Sequence, residues 1–460
     1  MNKSVIMVAC LVLGVLTYLI LLSVFTDSFT NELDSDKPVV TIMVSGSFEE
    51  MNLYKRLVGN FEKENPDIRV KLNFVPGDYT KKLRLLVSAN VPPDVCIIYD
   101  REFREYIRWD CFVPLDSFIN HPEPDLRADL SKYRPLAIKC FKSDGIQYGM
   151  PLYEGTLQIF YNRRLLREAG LAYPKSGWTY SEFLNDYLKI LTRDTDNDGR
   201  VDQFGITPFS SWLYFTPMMI NMGAEIINED GSKWLMDTPE GWRAWDEYSQ
   251  LMWKHKVLPD FSNRVEMGWG NIGFVVQRYA MWVSGPWNLG QLCDLPKLDF
   301  DVVMPPGEKY HKTRYITGSL VIFKQCKHKL AAWKLIKYIT NTDKCQATLM
   351  GRIPVLQTVK DAYLRDDFSL IEDPELKEEV KKIVKYLKKF IVDEEKLYFL
   401  NFGDEYNEMD RHINHEEEAL AWGRINGKKF VKRLINRYIE SGIFNDQYKG
   451  QKVDKKIYED

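Results

Sequence analysis

The apolar positions between residues 39 and 99 follow strand-like and helical patterns in turn. Residues 39–44 and 94–99 are nearly continuous apolar runs, which are typical of parallel strands covered on both faces. Residues 68–74 alternate between apolar and polar and predict another strand. Two helical stripes lie between these runs, and Ser47 with Glu50 has the spacing of a capping box before the first. This order predicts a βαβαβ unit, whose ligands lie beyond the carboxyl ends of the strands.

A second informative pattern covers residues 273–287. Residues 273–278 fit a helix end or turn, and residues 280–283 form a short apolar run that predicts a buried strand. The sequence Ser284-Gly285-Pro286 then interrupts the strand. This break brings the indole of Trp287 to the end of the strand, where α/β sheets bind ligands. A core tryptophan that follows a turn is the alternative interpretation.

The size and composition indicate a globular protein with more than one core. A chain of 460 residues is too long for a single hydrophobic core, so we expect two lobes. The net charge of −3 argues against a nucleic-acid-binding surface and against a polybasic membrane surface. Aromatic residues make up 13% of the chain, and exposed tryptophan and tyrosine side chains suit stacking on sugar rings.

Residues 1–36 are predicted to be a targeting or anchoring segment with a linker. Residues 5–25 are apolar and long enough to cross a bilayer. Lys3 precedes this run and acidic residues follow it, so the body of the protein is expected to face outward. The sequence leaves open an uncleaved membrane anchor or a cleaved signal peptide, and Cys10 fits a lipoprotein site least well. We expect an exported protein, in the periplasm or at the outer face of the cytoplasmic membrane.

Several motifs, taken in order, resemble those of one family. Residues 160–171 (Phe-Tyr-Asn-Arg-Arg-Leu-Leu-Arg-Glu-Ala-Gly-Leu), 177–183, 273–287 and 351–355 (Gly-Arg-Ile-Pro-Val) are similar to segments of the extracellular solute-binding proteins of ABC importers, the sugar-binding, maltose-binding-like family. Arg278 stands where that family usually has glycine. Each motif is weak alone, but their order and spacing extend the resemblance over residues 39–443.

The resemblance implies an α/β, two-lobe periplasmic-binding-protein fold with a ligand cleft between the lobes. Lobe 1 is expected to contain residues 37–150 with 307–342, and lobe 2 residues 151–306 with 343–460. The implied function is that of a monomeric receptor, without enzymatic activity or a catalytic cofactor. It binds a carbohydrate, expected to be an oligosaccharide, and presents it to the permease subunits of an importer with a cytoplasmic ATPase.

By matching position, the resemblance also assigns aromatic and glycine residues to the cleft. Trp287 is the expected stacking platform for a sugar ring. Trp212 and Tyr214 lie in a loop where relatives place another aromatic platform. Gly318 is expected to let the backbone approach the ligand closely.

The polar side chains expected in the cleft follow from the same resemblance and from the strand ends. Tyr99 and Asp100 follow the third predicted strand, and Glu154 lies where the chain is expected to cross between the lobes for the first time. Asp100, Glu154 and Arg352 are expected to bind hydroxyl or carboxylate groups. Arg352 leaves open an acidic sugar or a phosphate as the ligand.

Residues 193–203 have the spacing of an EF-hand-type calcium loop, with Gly199 at the turn position. The glutamate that usually closes such a loop is missing, since Gly205 stands at its position. Some relatives close a similar loop with a side chain at the place of Gln203. A polar surface turn is the alternative interpretation. The predicted ligands of a structural calcium ion are Asp194, Asp196, Asp198, the carbonyl of Arg200, Asp202 and Gln203.

An enzyme is the alternative function, and a glycosidase fits most readily. Asp100 and Glu154 would supply its two carboxylates. The sequence contains no P-loop, HExxH or dinucleotide-binding signature and has six histidines, which disfavours other common enzyme classes. A receptor for a phosphate ester or a peptide on the same fold is a third possibility.

Overall fold

The computed structural model describes residues 37–46, 48–209, 211–259, 270–349, 351–403 and 406–458. The predicted signal or anchor segment, residues 1–36, lies outside the described residues, and so does Ser47. Among the helices of the described ranges, none combines the length and the apolar character that crossing a membrane requires. The six cysteines after residue 37 have free thiols, and five of them are buried.

The strands are labelled in chain order and belong to two main sheets and one short hairpin. They are β1 (Val39–Ser45), β2 (Arg69–Val75), β3 (Val95–Tyr99), β4 (Lys142–Ser143), β5 (Ile146–Gln147), β6 (Gly149–Thr156), β7 (Gln158–Asn162), β8 (Phe204–Ile206), β9 (Tyr279–Ser284), β10 (Phe300–Val303), β11 (Thr313–Ile322) and β12 (Leu397–Tyr398).

The helices are also labelled in chain order. They are α1 (Phe48–Glu64), α2 (Tyr79–Ser88), α3 (Phe103–Arg108), α4 (Asp116–Ile119), α5 (Pro135–Lys139), α6 (Arg163–Glu168), α7 (Tyr180–Glu182), α8 (Lys189–Leu191), α9 (Thr216–Asn221), α10 (Pro239–Trp253), α11 (Gly270–Val275), α12 (Leu289–Cys293), α13 (Lys329–Asn341), α14 (Asp343–Gln346), α15 (Gln357–Leu364), α16 (Pro374–Leu387), α17 (Tyr406–Ala421), α18 (Gly427–Ser441) and α19 (Asn445–Tyr448). A π-helical segment, Phe183–Leu188, joins α7 to α8.

The first sheet contains the predicted βαβαβ unit. Its strand order is β12-β11-β3-β1-β2, and β6 also pairs with β11. β1 pairs in parallel with both β2 and β3, as the sequence pattern predicts. β3 is buried along almost its whole length, whereas β2 alternates between exposed and half-buried positions because it forms the edge of the sheet. β11 returns antiparallel to β3 and β6.

The second sheet has the order β10-β7-β9-β8 and sends alternate side chains into two different hydrophobic clusters. Ile159 and Tyr161 of β7 face the cluster that α10, α17 and α18 complete. Phe160, between them, packs against Phe274 of α11 and Phe300 of β10 on the opposite side. The period of two along a strand explains why neighbouring residues of β7 belong to different cores.

The chain passes directly from one sheet to the other at two places. Only Leu157 separates β6, in the first sheet, from β7, in the second. β10 ends in the second sheet, and β11 begins in the first after residues 304–312. The first passage lies close to Glu154, where the resemblance implies a crossover, and the second contains the expected lobe boundary between residues 306 and 307. The lobe boundaries given above remain a prediction.

Candidate functional site

A cavity of about 650 Å³ lies between the carboxyl ends of the first sheet and helices that flank the second. Ser45 and Tyr99, the last residues of β1 and β3, line it on one side. Trp287 and residues of α12 and α16 line it on the other. Its volume falls within the range of about 300–1,000 Å³ that is usual for small-molecule sites. Ligands of open parallel sheets bind at this edge, so the cavity is the candidate ligand site.

Trp287 enters the cavity because β9 ends at Ser284 and a short 3-10 turn, Pro286–Asn288, follows it. The indole lies against the backbone of the residues before it. A Cβ atom added to Gly285 would lie 2.1 Å from the ring, and one added to Gly155 would lie 3.3 Å from it. Glycine at 285 is therefore needed for this close approach. The ring remains half-buried and lines the cavity, as expected of a platform with one supported face.

Arg352 lies beside this tryptophan and forms an ion pair across the cavity wall. Its Nη2 and Nε donate hydrogen bonds of 2.7 and 3.2 Å to Oε1 of Glu50, which belongs to α1. The guanidinium carbon lies 4.4 Å from the centre of the Tyr153 ring and 5.8 Å from that of Trp287. Burial lowers the pKa of Arg352, but the Glu50 carboxylate and the neighbouring Tyr153 and Tyr99 together outweigh burial and raise it. The arginine therefore stays charged and already has a counter-ion.

Tyr99 is the third predicted site residue that lines the cavity. Its hydroxyl lies 2.8 Å from the hydroxyl of Ser45, so the ends of β3 and β1 are joined by a hydrogen bond. The guanidinium carbon of Arg101 lies 4.8 Å from the centre of its ring. Tyr99 thus offers the cavity an oriented phenol with a polar edge.

Glu154 occupies a different position from the one expected of a ligand contact. Its side chain is almost fully buried, accepts a 2.9 Å hydrogen bond from Lys360 Nζ and a 3.2 Å one from Arg134 Nε, and does not line the cavity. Its backbone pairs with Ile353. Because both oxygens have protein partners, Glu154 ties together the segments around the first passage between the sheets.

Asp100 and Gly318 are also away from the cavity lining. The side chain of Asp100 is fully buried and lies 3.9 Å from Nη2 of Arg314, too far for a hydrogen bond. A Cβ atom added to Gly318 would lie 2.7 Å from the hydroxyl oxygen of Tyr153. Glycine at 318 therefore makes room for a protein side chain, and the expected ligand approach is not seen at this position.

Trp212 and Tyr214, the expected second platform, form one short 3-10 turn. Trp212 has no exposed surface, and its Nε1 donates a 2.9 Å hydrogen bond to Asp410. Its ring packs near those of Trp245 and Phe402. Tyr214 packs at the border of the same cluster, and neither residue lines the cavity. The prediction of a platform at Trp212 is corrected by this burial, because a ligand cannot stack on a ring enclosed by protein.

The cavity also contains residues that the sequence reasoning missed. Glu50 was predicted as part of a capping box with Ser47, which lies outside the described residues, and its pairing with Arg352, 302 positions later in the chain, was not predicted. Asn288 and Gln291 follow Trp287 closely, so their proximity to the platform was a usable signal. Glu379 of α16 carried no comparable signal, because only the packing of α16 against α12 brings it to the cavity.

The acidic loop brings part of the predicted calcium ligands together. Carboxylate oxygens of Asp194, Asp196 and Asp202 lie within 4.8 Å of one another. The backbone N–H of Gly199 donates a 2.8 Å hydrogen bond to Asp194 and lowers the pKa of that carboxyl. Oxygen ligands at this spacing fit a hard cation such as calcium.

Gln203 does not join these carboxylates. Its amide nitrogen donates a 2.7 Å hydrogen bond to the carbonyl of Leu191, and its amide oxygen lies 3.3 Å from a guanidinium nitrogen of Arg193. The side chain is buried because residues 193 and 203 pair at the base of the loop. The structure therefore gives Gln203 a role in closing the loop and not one of facing an ion.

Large parts of the chain are similar in sequence to known binding proteins. The model of the bacterial extracellular solute-binding protein family matches residues 45–344. A putative binding protein of Brucella abortus is 27% identical over 293 residues, which are 62% of this chain and 67% of that protein. The maltotriose-binding protein of Pyrococcus abyssi is 23% identical over 358 residues, 76% of this chain and 71% of that protein.

A solved structure has the same fold. The ABC substrate-binding protein of Listeria monocytogenes in complex with cycloalternan superposes with a TM-score of 0.75 at 21% sequence identity. The alignment covers 89% of this chain and 100% of that one. The similarity extends over both sheets, which supports the two-lobe α/β fold expected from the sequence.

Proposed function

The chain belongs to the family of bacterial extracellular solute-binding proteins, and from this membership we propose that it is the receptor of an ABC importer and binds an oligosaccharide in the cavity at Trp287. The observation that carries the proposal is the half-buried indole that lies on glycine backbone and faces a cavity of about 650 Å³. A flat apolar ring that lines a cavity suits the apolar face of a sugar ring.

The rest of the cavity wall suits the hydroxyl groups of a saccharide. Asn271, Asn288 and Gln291 supply amide donors and acceptors around the platform. The Tyr99 and Ser45 hydroxyls lie on the opposite side. Each of these groups accepts or donates hydrogen bonds without carrying a charge. Of the predicted ligand contacts, we retain Tyr99, Trp287 and Arg352.

The names of relatives support a carbohydrate ligand. One relative is a maltotriose-binding protein, and the protein of the superposed structure holds cycloalternan. Family membership also supports export and a partnership with permease subunits. In this proposal the two lobes close over the saccharide, and the closed form is the one that the permeases recognise. The lobe boundaries are those expected from the sequence.

The glycosidase alternative receives no support from the predicted pair of carboxylates. Asp100 and Glu154 are both buried and neither lines the cavity. Their nearest partners are basic side chains of the protein itself. A pair that hydrolyses a glycosidic bond has to face the bond from both sides.

The experiment that tests the proposal is a calorimetric titration of the exported protein with a panel of neutral oligosaccharides, maltotriose among them. We expect saturable binding by at least one member and no new products when the mixture is analysed by chromatography. Binding should weaken when Trp287 is replaced by alanine. Cleavage of a bound sugar at a rate far above background would refute the receptor function.

The acidic loop supports a second, structural proposal. Asp194, Asp196 and Asp202 would hold a calcium ion, with the carbonyl of Arg200 and the side chain of Asp198 as further oxygen donors. A divalent cation would offset the repulsion between neighbouring carboxylates and fix the loop between α8 and β8. The role is one of stability, because the loop residues are not among those that line the cavity.

A further inference from the structure

The side chains of the cavity lining that are charged at neutral pH are predominantly acidic. They are Glu50, Arg56, Asp78, Asp294, Arg352 and Glu379. Four carboxylates and two guanidinium groups give the lining a formal charge of −2. No lysine or histidine contributes to the lining among the residues that the structure describes. A ligand that enters this cavity therefore meets a net negative charge.

The guanidinium group nearest the platform is already paired with a carboxylate. Arg352 donates two hydrogen bonds to Glu50, and the side chains of the pair are only 15% and 14% exposed. Partly buried charges are screened by salt much less than exposed ones. An anionic ligand group at Arg352 would have to lie next to the Glu50 carboxylate or break the partly buried ion pair. Both arrangements are unfavourable.

Uncharged amide groups flank the platform. Asn271 donates a 2.9 Å hydrogen bond to Gln291, which positions both amides at the wall. Asn288 Nδ2 donates a 2.7 Å hydrogen bond to the Ser284 hydroxyl, so its amide oxygen can accept from a ligand hydroxyl. Oriented amides recognise hydroxyl groups and give no charge compensation to a carboxylate.

We propose that this cavity selects uncharged saccharides and discriminates against saccharides that carry a carboxylate or phosphate group. The proposal rests on the proposed function and adds the charge class of the ligand. It also assigns a structural role to Arg352. The guanidinium group orients Glu50 and extends the aromatic wall formed by Tyr153 and Trp287, and it does not serve as an anion receptor.

The test compares matched pairs of trisaccharides by calorimetric titration. Maltotriose, mannotriose and cellotriose are each paired with the derivative in which one C6 hydroxymethyl group is oxidised to a carboxylate. For whichever pair binds, we expect the acidic member to bind at least tenfold more weakly at low ionic strength. The ratio should shrink as salt is added, because salt screens the repulsion from the exposed carboxylates of the lining, such as Glu379.

The outcomes separate this inference from the proposed function. An acidic trisaccharide that binds as tightly as its neutral partner, or more tightly, overturns the charge selection while the receptor function stands. Failure of every neutral and every acidic saccharide to bind would instead refute the proposed function.

Two substitutions in the cavity lining, Glu379→Gln and Glu50→Gln, test which carboxylates cause the selection. Glu379→Gln should reduce the ratio of the affinity for the neutral ligand to the affinity for the acidic ligand about twofold to threefold. Glu375→Gln, one turn earlier on the same helix α16, is the matched control, because Glu375 is exposed and outside the cavity lining. Its ratio should equal that of the unmodified protein.

Glu50→Gln should narrow the ratio most, since it removes the carboxylate and frees Arg352 together. If the loss of this ion pair prevents all sugar binding, the comparison of Glu379→Gln with Glu375→Gln shows whether the carboxylates of the cavity wall cause the selection. An unchanged ratio in Glu379→Gln, or an equal change in both variants, contradicts selection by the cavity wall.

Discussion

Lys360 Nζ donates a 2.9 Å hydrogen bond to Oε1 of Glu154, and the lysine side chain has no exposed surface. Arg134 shares the same carboxylate and donates a further hydrogen bond to the carbonyl of Val392. Since β6 continues into β7 after Glu154, this cluster joins the first passage between the sheets to α15 and to the segment before β12. Burial lowers the pKa of Lys360, and Glu154 opposes that change.

Replacing Glu154 by glutamine should destabilise the protein strongly. The change leaves Lys360 buried without its counter-charge, and breaking a buried pair in this way costs about 3–5 kcal/mol of the free energy of unfolding. Denaturant unfolding measures the loss. The double variant Glu154→Gln, Lys360→Met should recover much of it, because the fully buried ammonium group is no longer left without its counter-charge.

The control for this prediction is an exposed ion pair of the same charge types. Lys344 and Glu372 lie 2.5 Å apart, with side chains that are 66% and 77% exposed. Glu372→Gln should leave the unfolding midpoint nearly unchanged. A Glu154→Gln protein as stable as Glu372→Gln would show that the buried cluster contributes little.

A second buried pair predicts an effect of pH. Burial raises the pKa of Asp100, while Arg314 at 3.9 Å opposes that rise. A carboxyl whose pKa is higher in the folded state binds its proton more readily there, so stability falls as pH rises through the interval between the unfolded and folded pKa values. Arg314→Met removes the opposing charge and raises the pKa of Asp100 further.

Arg314→Met should therefore lose more stability at pH 7 than at pH 4, where Asp100 is closer to its neutral form. Unfolding in urea at the two pH values measures the difference. In the double variant Asp100→Asn, Arg314→Met the extra loss at pH 7 should disappear. Equal losses at both pH values in the single variant would mean that Asp100 does not carry the effect.

The sequence predicts local patterns of this fold well. The apolar runs of β1 and β3 and the alternation along β2 each depend on a few neighbouring residues, and their parallel pairing is confirmed. The position of Trp287 at the end of β9 was predictable for the same reason, because Gly285 and Pro286 stop the strand locally. The family resemblance supplied the two-lobe arrangement.

The partners of buried polar residues could not be predicted in this way. Glu154 meets Lys360 across 206 positions of the chain, and Trp212 meets Asp410 across 198. Both Trp212 and Trp287 follow turn-forming residues, so their local sequences give no reason to distinguish them. Packing of α10 and α17 encloses Trp212, whereas Trp287 retains contact with the cavity. Only tertiary contacts make this distinction.

The calcium proposal predicts that added calcium stabilises the folded protein. At a free concentration one hundred times the Kd, binding to the folded state alone multiplies the ratio of folded to unfolded protein about a hundredfold. Thermal unfolding with calcium and with a chelator measures this shift. Asp196→Asn should abolish it, because Asp196 is one of the three clustered carboxylates.

Gln203→Ala is the informative comparison for the loop. The Gln203 side chain bonds to Leu191 and Arg193, so its loss should lower stability in calcium and in chelator alike while the calcium shift persists. A melting temperature that is the same with and without chelator in the unmodified protein, together with no bound metal, would reject the calcium site.

The final prediction compares the substitution of alanine for Trp287 and for Trp212. It should mainly weaken ligand binding at the first position and mainly lower stability at the second. Trp287→Ala removes a ring that lies half-buried on Gly155 and Gly285 at the cavity wall. Loss of a stacking contact should weaken oligosaccharide binding about tenfold to a hundredfold. Trp212→Ala empties a fully enclosed site and should cost about 3–5 kcal/mol of stability.

Two measurements on each variant distinguish the roles, namely the affinity by calorimetry and the unfolding midpoint in denaturant. We expect Trp287→Ala to fold with a small loss of stability and to bind weakly, with Trp287→Phe intermediate in affinity because it keeps an apolar face. We expect Trp212→Ala to be much less stable and, where it is folded, to bind normally. If Trp287→Ala binds normally and is strongly destabilised, its indole supports the end of β9 and the saccharide stacks on another ring of the cavity lining, which includes Tyr79 and Tyr99.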